Sequence, residues 1–237
     1  MRLGGARPIR PGIPPLEIPR ERLLSLRRIP GSIHSWEDRS DIDGGELVEQ
    51  ASYLHSIRKY VIFSFVLFLA FLFLGYALAG VLEFGLLDLL REVFGDVGDG
   101  GFDPLFVFTL VFTNNAVKSF FAILLGVLFG VASGVFIVVN GFIIGIFVFE
   151  VEQEAGIAFV AAGLLPHGII EIPAVLVSAA VGLRLGYELV RHIRGRGHID
   201  REFKRGMRFF LRYLVPLLLF AAFVEAFLTP IIVELVI

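Results

Sequence analysis

The residues Tyr60–Val81, YVIFSFVLFLAFLFLGYALAGV, contain no charged side chain and decide the class of fold. At about 1.5 Å per helical residue, this apolar run is long enough to cross a hydrocarbon core of about 30 Å. The rest of the chain has the same character, since 56% of its 237 residues are hydrophobic and only 19% are charged. This composition excludes a water-soluble globular enzyme and a disordered chain, and it predicts a polytopic membrane protein.

Further apolar segments predict four more membrane spans. The expected spans are residues 116–138, 142–149, 156–190 and 209–236. The dipeptide Asn140-Gly141 is a strong turn signal that would separate the second span from the third. The third span is short and must borrow residues from 136–140 or continue through Glu150, and the segment 105–113 is expected to be interfacial or re-entrant. The predicted fold is therefore all-α: a polytopic transmembrane helical bundle of about five spans with one broken or re-entrant helix.

Two regions of different composition divide the chain. Residues 1–54 are predicted to form a polar cytoplasmic tail that is partly disordered, because Pro8–Pro19 is rich in proline and glycine. No apolar core follows the first arginines, so this tail does not resemble a secretory signal peptide. Residues 55–237 are predicted to form the transmembrane helical domain.

The distribution of arginine and lysine predicts how the chain lies across the cell membrane. The N-terminal tail and the segment 191–212 are rich in these residues, whereas 82–104 and 150–155 are acidic. Since the cytoplasmic flanks of membrane spans carry the excess of lysine and arginine, the N-terminus is predicted to be cytoplasmic and the C-terminus to lie outside. The basic segment 191–212 is interpreted mainly as this topology determinant, with lipid binding as the lesser alternative.

Small residues recur every four positions in the second predicted span. They are Ala122, Gly126, Gly130 and Gly134, and the pairs Gly141/Gly145 and Gly182/Gly186 repeat the spacing. In lipid, small residues at this spacing let two helix backbones approach closely. The ladder therefore predicts helix packing. Packing within one chain is favoured over the alternative of a homo-oligomer, because five helices already need internal contacts.

The segment Pro166–Pro173, PHGIIEIP, places a histidine and a carboxylate inside an apolar stretch. The prolines and Gly168 predict a break that separates a half-helix from a full helix. His167 and Glu171 are four residues apart, so their side chains can meet on one helical face. Two interpretations stay open: the pair satisfies the backbone of the broken helix, or it forms a proton or ion site. A metal site is disfavoured because two ligands are too few.

Two other polar groups interrupt the apolar runs. Asn114 and Asn115 lie near Lys118, at the outer end of the second predicted span. Helix capping explains one asparagine, since asparagine is a favoured N-cap, and leaves the role of the second open. Glu225 lies within the last span and can pair either with Lys118 or with the broken helix.

Several classes of chemistry find no support in the sequence. The chain has no cysteine, so it has no thiol nucleophile and no cysteine metal site. It also lacks a phosphate-binding glycine loop after a strand and a serine in a nucleophile elbow. No catalytic residue, cofactor, metal ion or nucleic-acid partner is therefore expected, and the protein is not expected to be an enzyme.

Three stretches together resemble a known family. They are Asn114-Asn115 with the glycines that follow as far as Gly145, the block PHGIIEIPA at 166–174 followed by GLRLG at 182–186, and AFVEAFLTP at 222–230. In this order, over roughly residues 55–235, they are similar to the stage II sporulation protein M family of integral membrane proteins. The similarity implies a multi-spanning protein without established enzymatic activity. It also implies that Asn114, Asn115, His167, Glu171 and Glu225 belong to one buried polar cluster.

The resemblance also bears on the biological role. In spore-forming bacteria the namesake helps peptidoglycan-degrading partners to act at the engulfing septal membrane, but many members come from organisms that do not sporulate, so engulfment is not transferred. The predicted function is a non-enzymatic scaffold that recruits partners in membrane or envelope organisation. Its expected partners are the lipid bilayer and unidentified proteins. The alternative is a small transporter or channel with a buried site at His167 and Glu171, which a solvent-connected cavity reaching Glu171 would favour.

Overall fold

The computed structural model describes residues 34–82, 84–94 and 103–236, and within these ranges it contains helices and no strand. The helices are α1 (His34–Ala79), α2 (Leu86–Phe94), α3 (Pro104–Leu124), α4 (Val131–Ala155), α5 (Ile157–Ile193) and α6 (Ile199–Glu234). Five segments are long and apolar enough to cross a membrane, namely Ser52–Ala79, Pro104–Val127, Val131–Ala155, Ile157–Ile193 and Ile199–Glu234. The predicted all-α bundle with about five spans is therefore confirmed.

The predicted end of the polar tail does not coincide with a helix boundary. Residues 1–33 of the predicted polar tail lie outside the described residues, and 34–54 belong to α1. Within the acidic segment 82–104 between the first two spans, residue 83 and residues 95–102 also lie outside the described residues. The short helix α2 precedes residues 95–102 and begins at Leu86. The backbone N–H groups of Leu86 and Leu87 donate to the Glu150 carboxylate at 3.1 and 2.8 Å. This carboxylate from α4 therefore caps α2, which stabilises a helix N-terminus.

The second and third spans meet at a different place from the one predicted. Helix α3 begins at Pro104 with Asp103 as its N-cap and continues through a 3₁₀ turn, Leu125–Val127. The chain then reverses, with Phe129 and Gly130 in the left-handed region at φ 56° and 75°. The expected segment 105–113 and the expected span 116–138 are therefore wrong, since the second span is Pro104–Val127.

Asn140-Gly141 is not a turn but lies inside α4. The Asn140 amide donates to the Phe136 carbonyl oxygen at 2.7 Å, so its side chain is satisfied within the helix. A Cβ at Gly141 would lie 2.6 Å from the carbonyl oxygen of Phe68, which shows that α1 and α4 cross closely here. Tertiary packing therefore overrides the local turn preference. The predicted acidic loop 150–155 is likewise the last part of α4.

Helix α5 is continuous over 37 residues and contains both Pro166 and Pro173. The expected break between a half-helix and a full helix is not observed. Prolines are tolerated within transmembrane helices because neighbouring helices and polar side chains can satisfy the backbone groups that they release. The predicted basic loop 191–212 is also shorter than expected, because α5 ends at Ile193 and α6 begins at Ile199.

Helix α6 contains two π-helical turns, Phe210–Leu214 and Val224–Leu228. Each turn ends two residues before a proline, Pro216 or Pro230. Proline has no N–H to donate to the preceding turn, so a widened turn can accommodate the missing hydrogen bond. The second π-helical turn carries Glu225, and its carbonyl oxygen at Val224 accepts a hydrogen bond from the Thr229 hydroxyl at 3.3 Å.

The small-residue ladder does not lie on one helix face, because the chain reversal at Phe129 and Gly130 divides it between two helices. A Cβ at Gly126 would overlap the backbone of Gly182 on α5, and one at Gly186 would overlap the backbone at Gly130. A Cβ at Gly134, in contrast, would have no neighbouring atom within 4 Å. Gly126 and Gly130 therefore contact α5 within the same chain, whereas Gly134 does not lie at a crossing.

Candidate functional site

A cavity of about 570 Å³ is lined by residues of all five spans and opens at the surface of the bundle, where its lining residues Leu110, Asn114, Lys118 and Ile143 are exposed. Its polar lining is Asn114, Asn115 and Lys118 from α3, Asn140 from α4, His167 and Glu171 from α5, and Glu225 from α6. Helix α1 contributes Phe68. Phe68, Asn115, Asn140 and Glu171 each lie near the middle of their spans. We call this space the midplane cavity, since helices that cross a bilayer place such residues at its centre.

A contact between a histidine and a carboxylate joins two helices at the wall of the midplane cavity. His167 Nδ1 on α5 contacts Glu225 Oε2 on α6, and the two side chains are 14% and 27% exposed. A charge at membrane depth is expensive unless it has a partner. The contact explains how an apolar bundle accommodates Glu225, and it also orients the imidazole of His167.

Glu171 lies beside a pair of amides from α3. The Asn115 side chain is next to the Glu171 carboxylate, and Asn114 Nδ2 donates to Asn115 Oδ1 at 3.3 Å. Asn115 is only 8% exposed. Neither asparagine is an N-cap, because α3 begins ten positions earlier at Pro104, so the capping interpretation is wrong. Both asparagines instead lie at the middle of the second span.

Asn114, Asn115, His167, Glu171 and Glu225 all line the midplane cavity, but Asn115 is the buried member and Asn114 is exposed, so the five do not form a wholly buried cluster. His167 pairs with Glu225 rather than with Glu171, although Glu171 is near enough for an electrostatic interaction with both. Sequence reasoning missed Asn140, because it assigned this residue to a turn. The signal that found Asn114, a polar side chain within an apolar run, applies equally to Asn140.

A second charged group lies at the far end of α5, and sequence reasoning did not identify it. Arg184 Nη2 contacts Glu188 Oε1 at 3.2 Å, and Arg184 Nε contacts Glu202 Oε1 on α6 at 3.3 Å. Arg191 Nη1 donates to the same Glu188 oxygen at 2.8 Å. We call these four residues the arginine network. Arg184 and Glu188 have the i, i+4 spacing of a helical ion pair, which is a signal visible in the sequence.

The two polar groups differ in the chemistry they permit. The arginine network has two guanidinium groups that contact two carboxylates, so each charge has a partner. The midplane cavity combines charged groups and amides with enough space for a small molecule or a hydrated ion. Among the described residues, no group of three or more histidine, aspartate and glutamate side chains could hold a metal ion.

These features define a class of protein: a multi-pass helical membrane protein whose spans share a polar cavity. The family model for stage II sporulation protein M (SpoIIM) matches residues 64–230, and the chain therefore belongs to this family. An uncharacterized protein from the archaeon Methanocaldococcus jannaschii is 29% identical over 130 residues, which cover 53% of this chain and 72% of that protein. No solved structure matches the chain.

Proposed function

We propose that this protein transports a small polar or charged solute through the midplane cavity. The observation that carries the proposal is the cavity of about 570 Å³ at mid-span, with charged side chains from α3, α5 and α6 in its wall. Ionisable residues within membrane spans are costly, and they commonly mark substrate or ion pathways. Substrate sites of transporters also lie near the bilayer midplane between packed helices. We propose no enzymatic activity.

A non-enzymatic scaffold that recruits envelope proteins is the second candidate. Membership of the SpoIIM family favours it, because of the role that the resemblance implies for the namesake. In a scaffold, the polar residues would serve only to hold the helices together, as the arginine network does. The two candidates differ in one physical property, since a transport site must be reached by water and a structural cluster need not be.

Water access can be measured directly because the chain has no native cysteine. Ile172 lines the midplane cavity, whereas Ile169, one helical turn earlier on α5, is 67% exposed on the outside of the bundle, where lipid would cover it. We expect a charged methanethiosulfonate reagent to label Ile172→Cys in membrane vesicles and to leave Ile169→Cys unlabelled. Thiols react as thiolates, which do not form in lipid. An unreactive Ile172→Cys in correctly folded protein would overturn the transport proposal and leave the scaffold.

We also propose that the N-terminus is cytoplasmic and the C-terminus lies outside. The clustering of Arg191, Arg194 and Arg196 at one end of α5, with Glu150 and Glu152 near the end of α4, supports this orientation. An impermeant thiol reagent applied outside intact cells should label Gln153→Cys and not Arg196→Cys. Labelling of Arg196→Cys alone would show the opposite orientation.

A further inference from the structure

Two amide groups of the midplane cavity have a fixed orientation. Asn140 donates to the Phe136 carbonyl oxygen, which can only accept, and Asn114 Nδ2 donates to Asn115 Oδ1. Asn140 and Asn114 therefore each use a donor within the protein and turn an oxygen away from that bond. The acceptors that remain for a ligand include these two amide oxygens and the carboxylate of Glu171, which lines the same cavity.

The charges around the cavity also favour a positive ligand. The five spans contribute Phe68 (α1), Lys118 (α3), Asn140 (α4), His167 and Glu171 (α5), and Glu225 (α6). With His167 neutral, one cationic side chain faces two carboxylates, which leaves one uncompensated negative charge. With His167 protonated, the charges cancel. A small monovalent cation and a proton on His167 are therefore alternative ways to neutralise the same cavity.

We infer that the midplane cavity exchanges a small monovalent cation for a proton, an inference that rests on the proposed transport function. In one state His167 is protonated and pairs with Glu225, and the cavity holds no cation. When His167 releases its proton, the cation binds at the Glu171 carboxylate and the amide oxygens of Asn114 and Asn140. One positive charge leaves for each one that enters, so the cycle is electroneutral and needs no other reactant.

Purified protein in liposomes that contain a pH-sensitive dye tests this exchange. Sodium chloride or potassium chloride is added outside in separate experiments, with N-methylglucamine chloride as the impermeant control and the membrane potential clamped. We expect sodium or potassium to raise the internal pH, because cation entry drives proton exit, and we expect N-methylglucamine to have no effect. If neither cation changes the internal pH while Ile172→Cys is labelled, cation exchange is wrong and transport of another solute stands. If Ile172→Cys is unlabelled, both proposals fail.

Two variants connect the exchange to the residues named. His167→Gln removes the proton carrier, and Glu171→Gln removes the charge that binds the cation while keeping an acceptor for Asn115. Each should lower the initial rate of cation-driven pH change at least tenfold. His55→Gln, at an exposed position on α1, is the matched control and should keep the wild-type rate. Should His167→Gln fail to fold, Glu171→Gln carries the test, and a wild-type rate in that variant would overturn the inference.

Discussion

The arginine network, between α5 and α6, and the midplane cavity, which all five spans line, both contain charged side chains, and they use those charges differently. In the arginine network, Glu188 and Glu202 are 5% and 7% exposed, and both contact Arg184. In the cavity wall, Glu171 and Glu225 lie with one lysine, Lys118, and with His167, which can be neutral or protonated. Charge balance within the protein suits a structural role, whereas an incomplete balance beside open space suits a ligand. The contrast separates residues that hold the bundle from residues that would bind.

The largest effect on stability is expected from Arg184→Met. This change keeps the apolar part of the side chain but leaves Glu202 without its guanidinium partner, and Glu188 keeps only Arg191. Removing one member of a buried ion pair costs about 3–5 kcal/mol, because the remaining charge stays desolvated. Thermal unfolding in detergent should therefore show a much lower midpoint. Arg196→Met, at an exposed position in the same region, is the control and should unfold like the wild type.

A double variant sharpens this test of the arginine network. Arg184→Met combined with Glu202→Gln removes the uncompensated charge and should recover part of the lost stability. If the double variant is less stable than the single variant by the full cost of a second independent change, the two side chains do not act as a pair. The network would then not stabilise the contact between α5 and α6.

The second largest effect should come from Gly126→Ala, at the close contact with Gly182 on α5. The added methyl group would overlap the backbone of Gly182, which cannot move as a flexible side chain can. Overpacking of this kind costs about 1–3 kcal/mol, and we expect the upper end here. Gly134→Ala should be neutral or stabilising by up to about 1 kcal/mol, since its Cβ meets no atom within 4 Å and alanine favours helix. Equal unfolding midpoints for the two variants would contradict the assigned crossing.

The same physics explains which parts of the fold were predictable from the sequence. Long apolar runs identify spans because the thickness of the bilayer sets their length, so the five-span bundle could be predicted. The reversal between α3 and α4 could not, because it uses the apolar residues Leu128 and Phe129 with Gly130, whereas the stronger turn signal at Asn140-Gly141 lies in a helix. Turn rules derived from solvated loops do not account for close helix packing in a membrane.

For the site, residue types were predictable but pairings were not. Glu225 and His167 stand out because each is an ionisable group in an apolar stretch, yet they lie on different helices, and their contact depends on how α5 and α6 pack. Arg184 and Glu202 were not predicted as site residues, for a different reason. Both are close to a basic segment, where charges are common, and sequence alone does not distinguish a buried charge there from a solvated one.

In the midplane cavity, Glu171→Leu should destabilise less than either change above. Leucine fills similar space but removes the carboxylate beside the buried Asn115 amide, and a buried donor left without a partner costs about 1–3 kcal/mol. We expect a value of about 2 kcal/mol or less, because Asn115 lies beside a cavity that water can enter if the proposed function is correct. A loss as large as that of Arg184→Met would place Glu171 among the residues that hold the bundle.

The smallest effect on stability is expected from Glu171→Gln. This variant tests most directly whether the charges of the cavity and of the arginine network have different roles. Glutamine has nearly the same shape as glutamate, and it keeps an oxygen that can accept beside the Asn115 amide. The change also removes one of the two carboxylates that face a single lysine across the cavity, so it relieves repulsion between Glu171 and Glu225. The unfolding free energy should therefore change by less than about 1 kcal/mol, the net worth of a typical hydrogen bond.

The corresponding change in the arginine network, Glu202→Gln, removes a charge that Arg184 contacts directly, and it should be clearly more destabilising. If the two glutamine variants were equally destabilised, the carboxylate of Glu171 would be structural, and the distinction between the two charged regions would not hold.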